Sequence, residues 1–158
     1  MRSNSVTASI VMCLVALVAA PAASANLLVN AGFETGDFTG WTTSSGVQGS
    51  GLSVINQGHS GKYSALFTSN EEFGTDTMYQ VVDVVPLETY LVEFWVLNNG
   101  VGDDELHVIW NSQTILSQSP IGTPLEEWTH ISLLVVNENT PLARLDFLAE
   151  DLAASVLI

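Results

Sequence analysis

The chain has 158 residues, and its 17 acidic side chains against three lysines and arginines give a formal net charge of −14 at pH 7. This balance excludes nucleic acid as a partner, because no basic patch exists to neutralise phosphates, and it disfavours an anionic membrane surface. The only cysteine, Cys13, leaves no internal disulfide, so stability must come from a packed core or from a bound metal.

The first 25 residues have the three parts of a secretory signal peptide. Arg2 supplies the basic region, residues 10–20 form an apolar run too short to span a bilayer, and Ala-Ser-Ala at 23–25 is a small-x-small cleavage pattern. We therefore expect the mature domain, residues 26–158, to begin at Asn26. We expect it to be secreted to the extracellular side, with no membrane insertion in its mature form.

The mature domain is more acidic than the whole chain. Lys62 and Arg144 are its only lysine and arginine, against all 17 acidic residues, so its formal net charge is −15. Such a charge favours solubility or indicates a saline habitat. It also suits cation binding, because carboxylate oxygens are the ligands that calcium prefers.

Strand patterns dominate after residue 26, where apolar residues recur with a period of two. Runs rich in Val, Ile, Thr and aromatic residues alternate with Gly, Asn, Asp and Pro clusters, and no mature window keeps a helical period for ten residues. The predicted strands are 27–30, 41–44, 47–56, 62–68, 76–85, 89–97, 104–110, 113–118, 127–136, 142–148 and 154–158. Short strands at this spacing indicate an all-β sandwich or barrel.

Alternation within the strands predicts which side chains face the core. The core-facing set is Tyr90, Val92, Phe94, Val96, Leu106, Val108, Trp110, Leu145 and Phe147. Trp95 shares the opposite face of its strand with Glu93, which indicates a partly wet face. Arg144 and Asp146 are likewise predicted to point outward.

Several segments together carry a family resemblance. They are NLLVNAGFETGDFTGW at 26–41, GKYSAL at 61–66, YQVV at 79–82, YLVEFWV at 90–96, VIWN at 108–111 and LDF at 145–147. In order and spacing these resemble family 4/9-type carbohydrate-binding modules, which are galactose-binding-like jelly rolls. The resemblance is closest to exported bacterial proteins that often carry a PEP-CTERM sorting tail. It implies one jelly-roll β-sandwich domain over 26–158 that binds polysaccharide without catalysis.

The C-terminus departs from the family pattern. Modules of this type usually close with a strand like L-D-D-V-S-V, whereas this sequence ends at Val156-Leu-Ile158 and shows no sorting tail. We therefore expect that the sequence is a fragment or has been trimmed, and that the domain is truncated at its last strand. A missing closing strand would leave an open sheet edge, which is a liability for aggregation.

The resemblance also implies a structural calcium site. Glu34 follows the turn phenylalanine in Gly-Phe-Glu, where related modules place a calcium ligand, and the carbonyl of Lys62 would be a second ligand. The aspartate that completes this site in the family is absent here. The alternative for Glu34 is a turn carboxylate that is solvated or accepts backbone N–H bonds.

A sugar site would need an aromatic platform with polar neighbours. Trp95 is the best platform, because the C–H face of a sugar stacks on an indole held on a wet strand face. The polar candidates are Glu93, His107, Arg144 and Asp146, provided the fold brings their strands together. The alternatives are a structural role for Trp95 and a simple ion pair between Arg144 and Asp146. Packing in the turn is the expected role of Phe33, Phe38 and Trp41.

No catalytic signature is present. The three histidines lack metal-binding spacing, and there is no G-x-S-x-G elbow and no phosphate-binding glycine loop. We therefore expect a non-catalytic carbohydrate-binding module whose partner is a polysaccharide. The alternative is an extracellular matrix or cell-surface scaffold with an acidic surface and no groove.

Overall fold

The computed structural model describes residues 25–45, 51–68, 75–98, 105–118, 127–150 and 155–157. The predicted signal peptide, apart from Ala25, lies outside the described residues. Within these ranges the chain is all-β. None of the described residues forms a helix that is long and apolar enough to cross a membrane.

Ten strands are described, and they agree with ten of the eleven predicted runs. They are β1 (Thr42–Ser44), β2 (Gly51–Ile55), β3 (Ser64–Thr68), β4 (Asp76–Asp83), β5 (Thr89–Asn98), β6 (Glu105–Trp110), β7 (Gln113–Gln118), β8 (Thr129–Val136), β9 (Leu142–Glu150) and β10 (Ser155–Leu157). The first sheet has the order β1-β4-β9-β6-β7, and the second has the order β2-β3-β10-β5-β8. All ladders are antiparallel, so the predicted β-sandwich is confirmed.

The core fills the space between the two sheets, where the inward side chains of both meet. Phe94 of the second sheet packs edge-to-face against Phe147 of the first, with ring centroids 5.2 Å apart. Tyr90 of the second sheet stacks on Trp110 of the first, with ring centroids 5.9 Å apart. Because such pairs add about 0.5–1.5 kcal/mol beyond the area they bury, they help to fix the two sheets face to face. The predicted core-facing set is confirmed: its members are buried, apart from the half-buried Tyr90.

The aromatic turn after the N-terminal segment also joins the core. Phe33 and Trp41 are buried and stack on each other at 5.7 Å, and Phe38 meets Phe33 edge-on. Trp41 in turn contacts Phe147 of β9. The predicted packing role of these rings is confirmed.

The predicted strand at 27–30 is wrong. These residues form a bend and a turn, in which Asn30 has a positive φ of 51° and its carbonyl accepts a bond from the amide of Phe33. The backbone amide of Val29 donates to Oε1 of Gln80 at 2.7 Å, and Nε2 of Gln80 donates to the backbone carbonyl of Val29 at 3.0 Å. A buried side chain thus satisfies backbone groups that a neighbouring strand would otherwise have paired.

The last described residues lie in the middle of the second sheet. β10 pairs with β3 on one side and with β5 on the other. The position where we expected an open edge is therefore occupied by a three-residue strand. The edges of this sheet are formed by β2 and β8 instead.

Candidate functional site

The five side chains predicted for a sugar site lie on opposite sides of the sandwich. Glu93 and Trp95 point outward from β5 in the second sheet, whereas His107 on β6 and the pair Arg144 and Asp146 on β9 point outward from the first sheet. The outward faces of two packed sheets point away from each other. The structure therefore separates the predicted set into two groups.

We call the outward surface of β4, β9 and β6 the polar face. Its members are Thr77, Tyr79, Glu105, His107, Ile109, Arg144, Asp146, Leu148 and Glu150. Most of these outward side chains are half-buried, and Asp146 is only 6% exposed. Outward groups that are only half-exposed indicate a recessed surface. A depression of about 750 Å³ lies on it, lined by residues that include Ile109, Asn111, Arg144 and Asp146.

Arg144 is the central side chain of the polar face. Its guanidinium lies 3.6 Å from the ring centroid of Tyr79, a cation–π contact. Its Nε donates to Oδ1 of Asp146 at 2.8 Å, and its Nη2 contacts the same oxygen. The predicted pairing with Asp146 is thus present. About half of the Arg144 side chain remains exposed, so its positively charged guanidinium remains accessible from the depression.

The turn between β6 and β7 fixes the backbone of Arg144. Asn111 and Ser112 have φ values of 48° and 69°, as a two-residue hairpin turn of type I′ requires. The amide of Asn111 donates to the carbonyl of Arg144 at 3.0 Å, and the side-chain Oδ1 of Asn111 accepts from the Arg144 amide at 2.9 Å. Asn111 Nδ2 also donates to Oδ1 of the fully buried Asn137 at 3.0 Å. Sequence reasoning missed the role of Asn111 in holding Arg144, because the two residues are neighbours only once β9 pairs with β6.

A cluster of donor atoms lies at the other end of the polar face. Nε2 of His107 is 3.2 Å from Oε2 of Glu105, and Glu150 of β9 lies beside them. One ligand atom from each of the three side chains lies within 4.8 Å of the others. The hydroxyl of Thr75 is 3.3 Å from Oε1 of Glu150. His107 was the only member of this cluster that the sequence singled out.

We call the surface around Trp95 on the second sheet the aromatic face. His59 stacks on the indole with centroids 3.7 Å apart and planes 14° apart, and His130 lies at 4.8 Å with planes 29° apart. Trp128 meets His59 edge-on at 5.5 Å, and Glu93 lies 3.5 Å from Nε2 of His130. Trp95 is 36% exposed. Because His59 covers one side of the ring, the indole does not offer the open platform that we expected.

Glu34 accepts hydrogen bonds from backbone amides, as expected for a turn carboxylate that binds no metal. Its Oε1 accepts the amide of Lys62 at 2.8 Å and that of Tyr63 at 3.2 Å. A Cβ at Gly61 would lie 2.1 Å from this oxygen, so a larger residue there would displace the carboxylate. A carboxylate has about four lone-pair sites, so these bonds leave room for a cation as well. The calcium site at Glu34 and the Lys62 carbonyl therefore stays a prediction.

A larger hollow of about 780 Å³ lies between the N-terminal segment and β5. It is lined mainly by core side chains such as Phe33, Trp41, Met78 and Phe94. Asn26, Thr89 and Glu93 are among its few polar lining residues, whereas a sugar needs several polar partners held in place. The hollow is therefore less suited to a sugar than the depression on the polar face.

Comparison with known proteins agrees with this fold. The model of the carbohydrate-binding domain family 4/9 matches residues 25–108, which is more than half of the chain. A search of curated protein sequences gives no match.

The solved structures that are similar to the chain include three carbohydrate-binding modules. TmCBM61 in complex with β-1,4-galactotriose has a TM-score of 0.67 at 22% identity, covering 85% of this chain and 93% of that one. A family 16 carbohydrate-binding module has a TM-score of 0.61 at 18% identity, covering 84% and 94%.

The third is the CBM22-1 xylan-binding domain of Paenibacillus barcinonensis Xyn10C, with a TM-score of 0.53 at 20% identity, covering 80% and 85%. At these identities the three structures support the fold alone. They confirm the jelly-roll class predicted from the sequence. The matched family model establishes that this chain belongs to the family 4/9 carbohydrate-binding domains.

Proposed function

We propose that the domain is a non-catalytic module that binds polysaccharide in the groove of the polar face. The observation that carries this proposal is the exposed guanidinium of Arg144, held between the ring of Tyr79 and the carboxylate of Asp146 beside the depression. Ligand sites are typically concave, with a few fixed polar groups on a partly apolar surface. The polar face has these features.

The chemistry of the groove suits sugar hydroxyls. Arg144 donates hydrogen bonds, Asp146 accepts them, and both are already held in place by protein contacts. Ile109 and Leu148 add apolar surface for the C–H groups of a sugar ring. Because the polar groups are fixed before binding, little side-chain entropy is lost on contact. TmCBM61 was solved in complex with β-1,4-galactotriose, and the CBM22-1 domain is described as xylan-binding, so galactan and xylan are the first polymers to test.

The experiment compares one variant on each face. Binding of the mature domain to β-1,4-galactan, xylan, cellulose and mixed-linkage β-glucan is measured by affinity electrophoresis and calorimetry. Tyr79→Ala and Arg144→Gln, on the polar face, are expected to weaken binding at least tenfold. Trp95→Ala, on the aromatic face, is the matched control and should bind as the unmodified domain does.

Two results would contradict the proposal. If Trp95→Ala loses binding while Tyr79→Ala keeps it, the glycan site lies on the aromatic face. If the unmodified domain binds none of a broad panel of polymers, the scaffold alternative replaces sugar binding, with the extracellular matrix as its partner.

The aromatic face is the second candidate because it clusters two tryptophans at the surface. Trp95 and Trp128 both contact the imidazole of His59, which belongs to the exposed loop between β2 and β3. For Trp95 to stack on a sugar, His59 would have to move away. On this alternative, His59→Ala would strengthen glycan binding, whereas on the polar-face proposal it leaves the affinity unchanged.

We also propose that the protein is secreted, on the strength of the signal-peptide pattern in residues 1–25. N-terminal sequencing of the exported protein should then begin at Asn26. A soluble extracellular form that retains the first 25 residues would contradict cleavage at this position.

A further inference from the structure

Two carboxylates oppose each other across the ladder of β6 and β9. Glu105 and Glu150 are direct partners in the register, and both point outward on the polar face. Like charges directly opposite each other destabilise an antiparallel pair. A bound cation would turn this unfavourable pair into a favourable contact.

A nitrogen donor completes the group. His107 lies two residues after Glu105 on the same strand, so both side chains leave the sheet on the same face. One ligand atom from each of the three side chains lies within 4.8 Å of the others, and all three residues are half-buried. Donor atoms about 2.1 Å from one ion lie at most about 4.2 Å apart, so a small side-chain rotation would close the group around a metal.

We propose that Glu105, His107 and Glu150 bind a divalent transition metal, with zinc as the representative ion. Imidazole nitrogen with carboxylate oxygens suits zinc and its neighbours, whereas calcium prefers oxygen ligands alone. The hydroxyl of Thr75, 3.3 Å from Oε1 of Glu150, orients that carboxylate from the second layer. This site is separate from the calcium position predicted at Glu34, and it does not depend on the groove binding a sugar.

Zinc titration of the chelator-treated mature domain tests the site by calorimetry. We expect saturable binding of one ion. His107→Gln and Glu150→Gln should each raise the dissociation constant at least tenfold. The control is the other close histidine–glutamate pair, on the aromatic face: Glu93→Gln and His130→Gln should bind zinc as the unmodified domain does. Glu34→Gln should also leave zinc binding unchanged.

Thermal unfolding gives a second readout, because the effect of Glu150→Gln on the melting temperature should differ without and with zinc. Without metal, Glu150→Gln removes the opposed charges and keeps the oxygen that faces Thr75, so its melting temperature should equal or exceed that of the unmodified domain. With zinc, the unmodified domain should gain stability and the variant should not. The proposal is overturned if zinc does not bind at millimolar concentration. It is equally overturned if His107→Gln and Glu150→Gln bind as tightly as the unmodified domain.

Discussion

Asn111 and Arg144 hold each other through two hydrogen bonds, one from each backbone amide. The Asn111 amide donates to the carbonyl of Arg144, and the Arg144 amide donates to Oδ1 of Asn111, at 3.0 and 2.9 Å. This exchange joins the β6–β7 turn to β9. It places the guanidinium of Arg144 above Tyr79, where the proposed groove needs it.

The first prediction concerns this exchange. Asn111→Ala removes the side-chain bonds to Arg144 and Asn137 and places alanine at a φ of 48°. Since a lost bond to a buried partner costs about 1–3 kcal/mol and the left-handed conformation about 1–2 kcal/mol, we expect a loss of at least about 2 kcal/mol. Urea unfolding followed by tryptophan fluorescence measures it. Asn111→Gly accepts the positive φ and should lose less, and equal losses for the two variants would contradict the backbone contribution.

A second prediction follows from Leu87, whose φ is 63° although its side chain is 69% exposed. The left-handed conformation costs a leucine about 1–2 kcal/mol, and glycine adopts it without this cost. Glycine also has more conformational entropy in the unfolded chain, which offsets part of this gain. We therefore expect Leu87→Gly to stabilise the domain by about 0.5–1 kcal/mol. The matched control is Leu91→Gly, at an exposed leucine within β5, which should destabilise. The same sign for both variants would argue against strain at Leu87.

A third prediction tests calcium at Glu34. If calcium binds there, a hundredfold excess over its dissociation constant stabilises the domain by about 2.7 kcal/mol. Melting with calcium and with a chelator measures this gain. Glu34→Gln keeps the oxygen that accepts the amides of Lys62 and Tyr63, so it isolates the charge and should abolish the gain. Glu138→Gln, at an exposed glutamate elsewhere, should keep it. Identical melting curves with and without calcium would reject the site.

A fourth prediction concerns acid stability. Hydrogen bonds from Thr39 and then from Thr35 lower the pKa of Asp37 below its usual 3.8. Its contribution to stability is therefore complete above pH 3.8 and is lost as the pH falls through the lowered pKa. Asp37→Asn should lose less unfolding free energy between pH 6 and pH 2.5 than the unmodified domain. An identical loss of unfolding free energy for both proteins would show that protonation of Asp37 does not contribute to the loss of stability in acid.

Local alternation was sufficient to predict the core and most strands. Phe94, Trp110 and Phe147 were assigned inward from their positions in single strands, and all three are buried. A period of two in the side chains decides which residues can share an apolar face, and this information lies within each strand. The segment at 27–30 failed because its backbone partner is the side chain of Gln80, 51 residues from Val29.

The sequence by itself determined that Trp95, His107 and Arg144 point outward, and by resemblance it determined the family. Only the tertiary structure decided that Trp95 lies on one side of the sandwich while His107 and Arg144 lie on the other. It also decided that Glu150 faces Glu105 and that His59 covers Trp95. Alternation assigns a side chain to the inside or the outside, but the pairing of distant strands decides which outward side chains become neighbours.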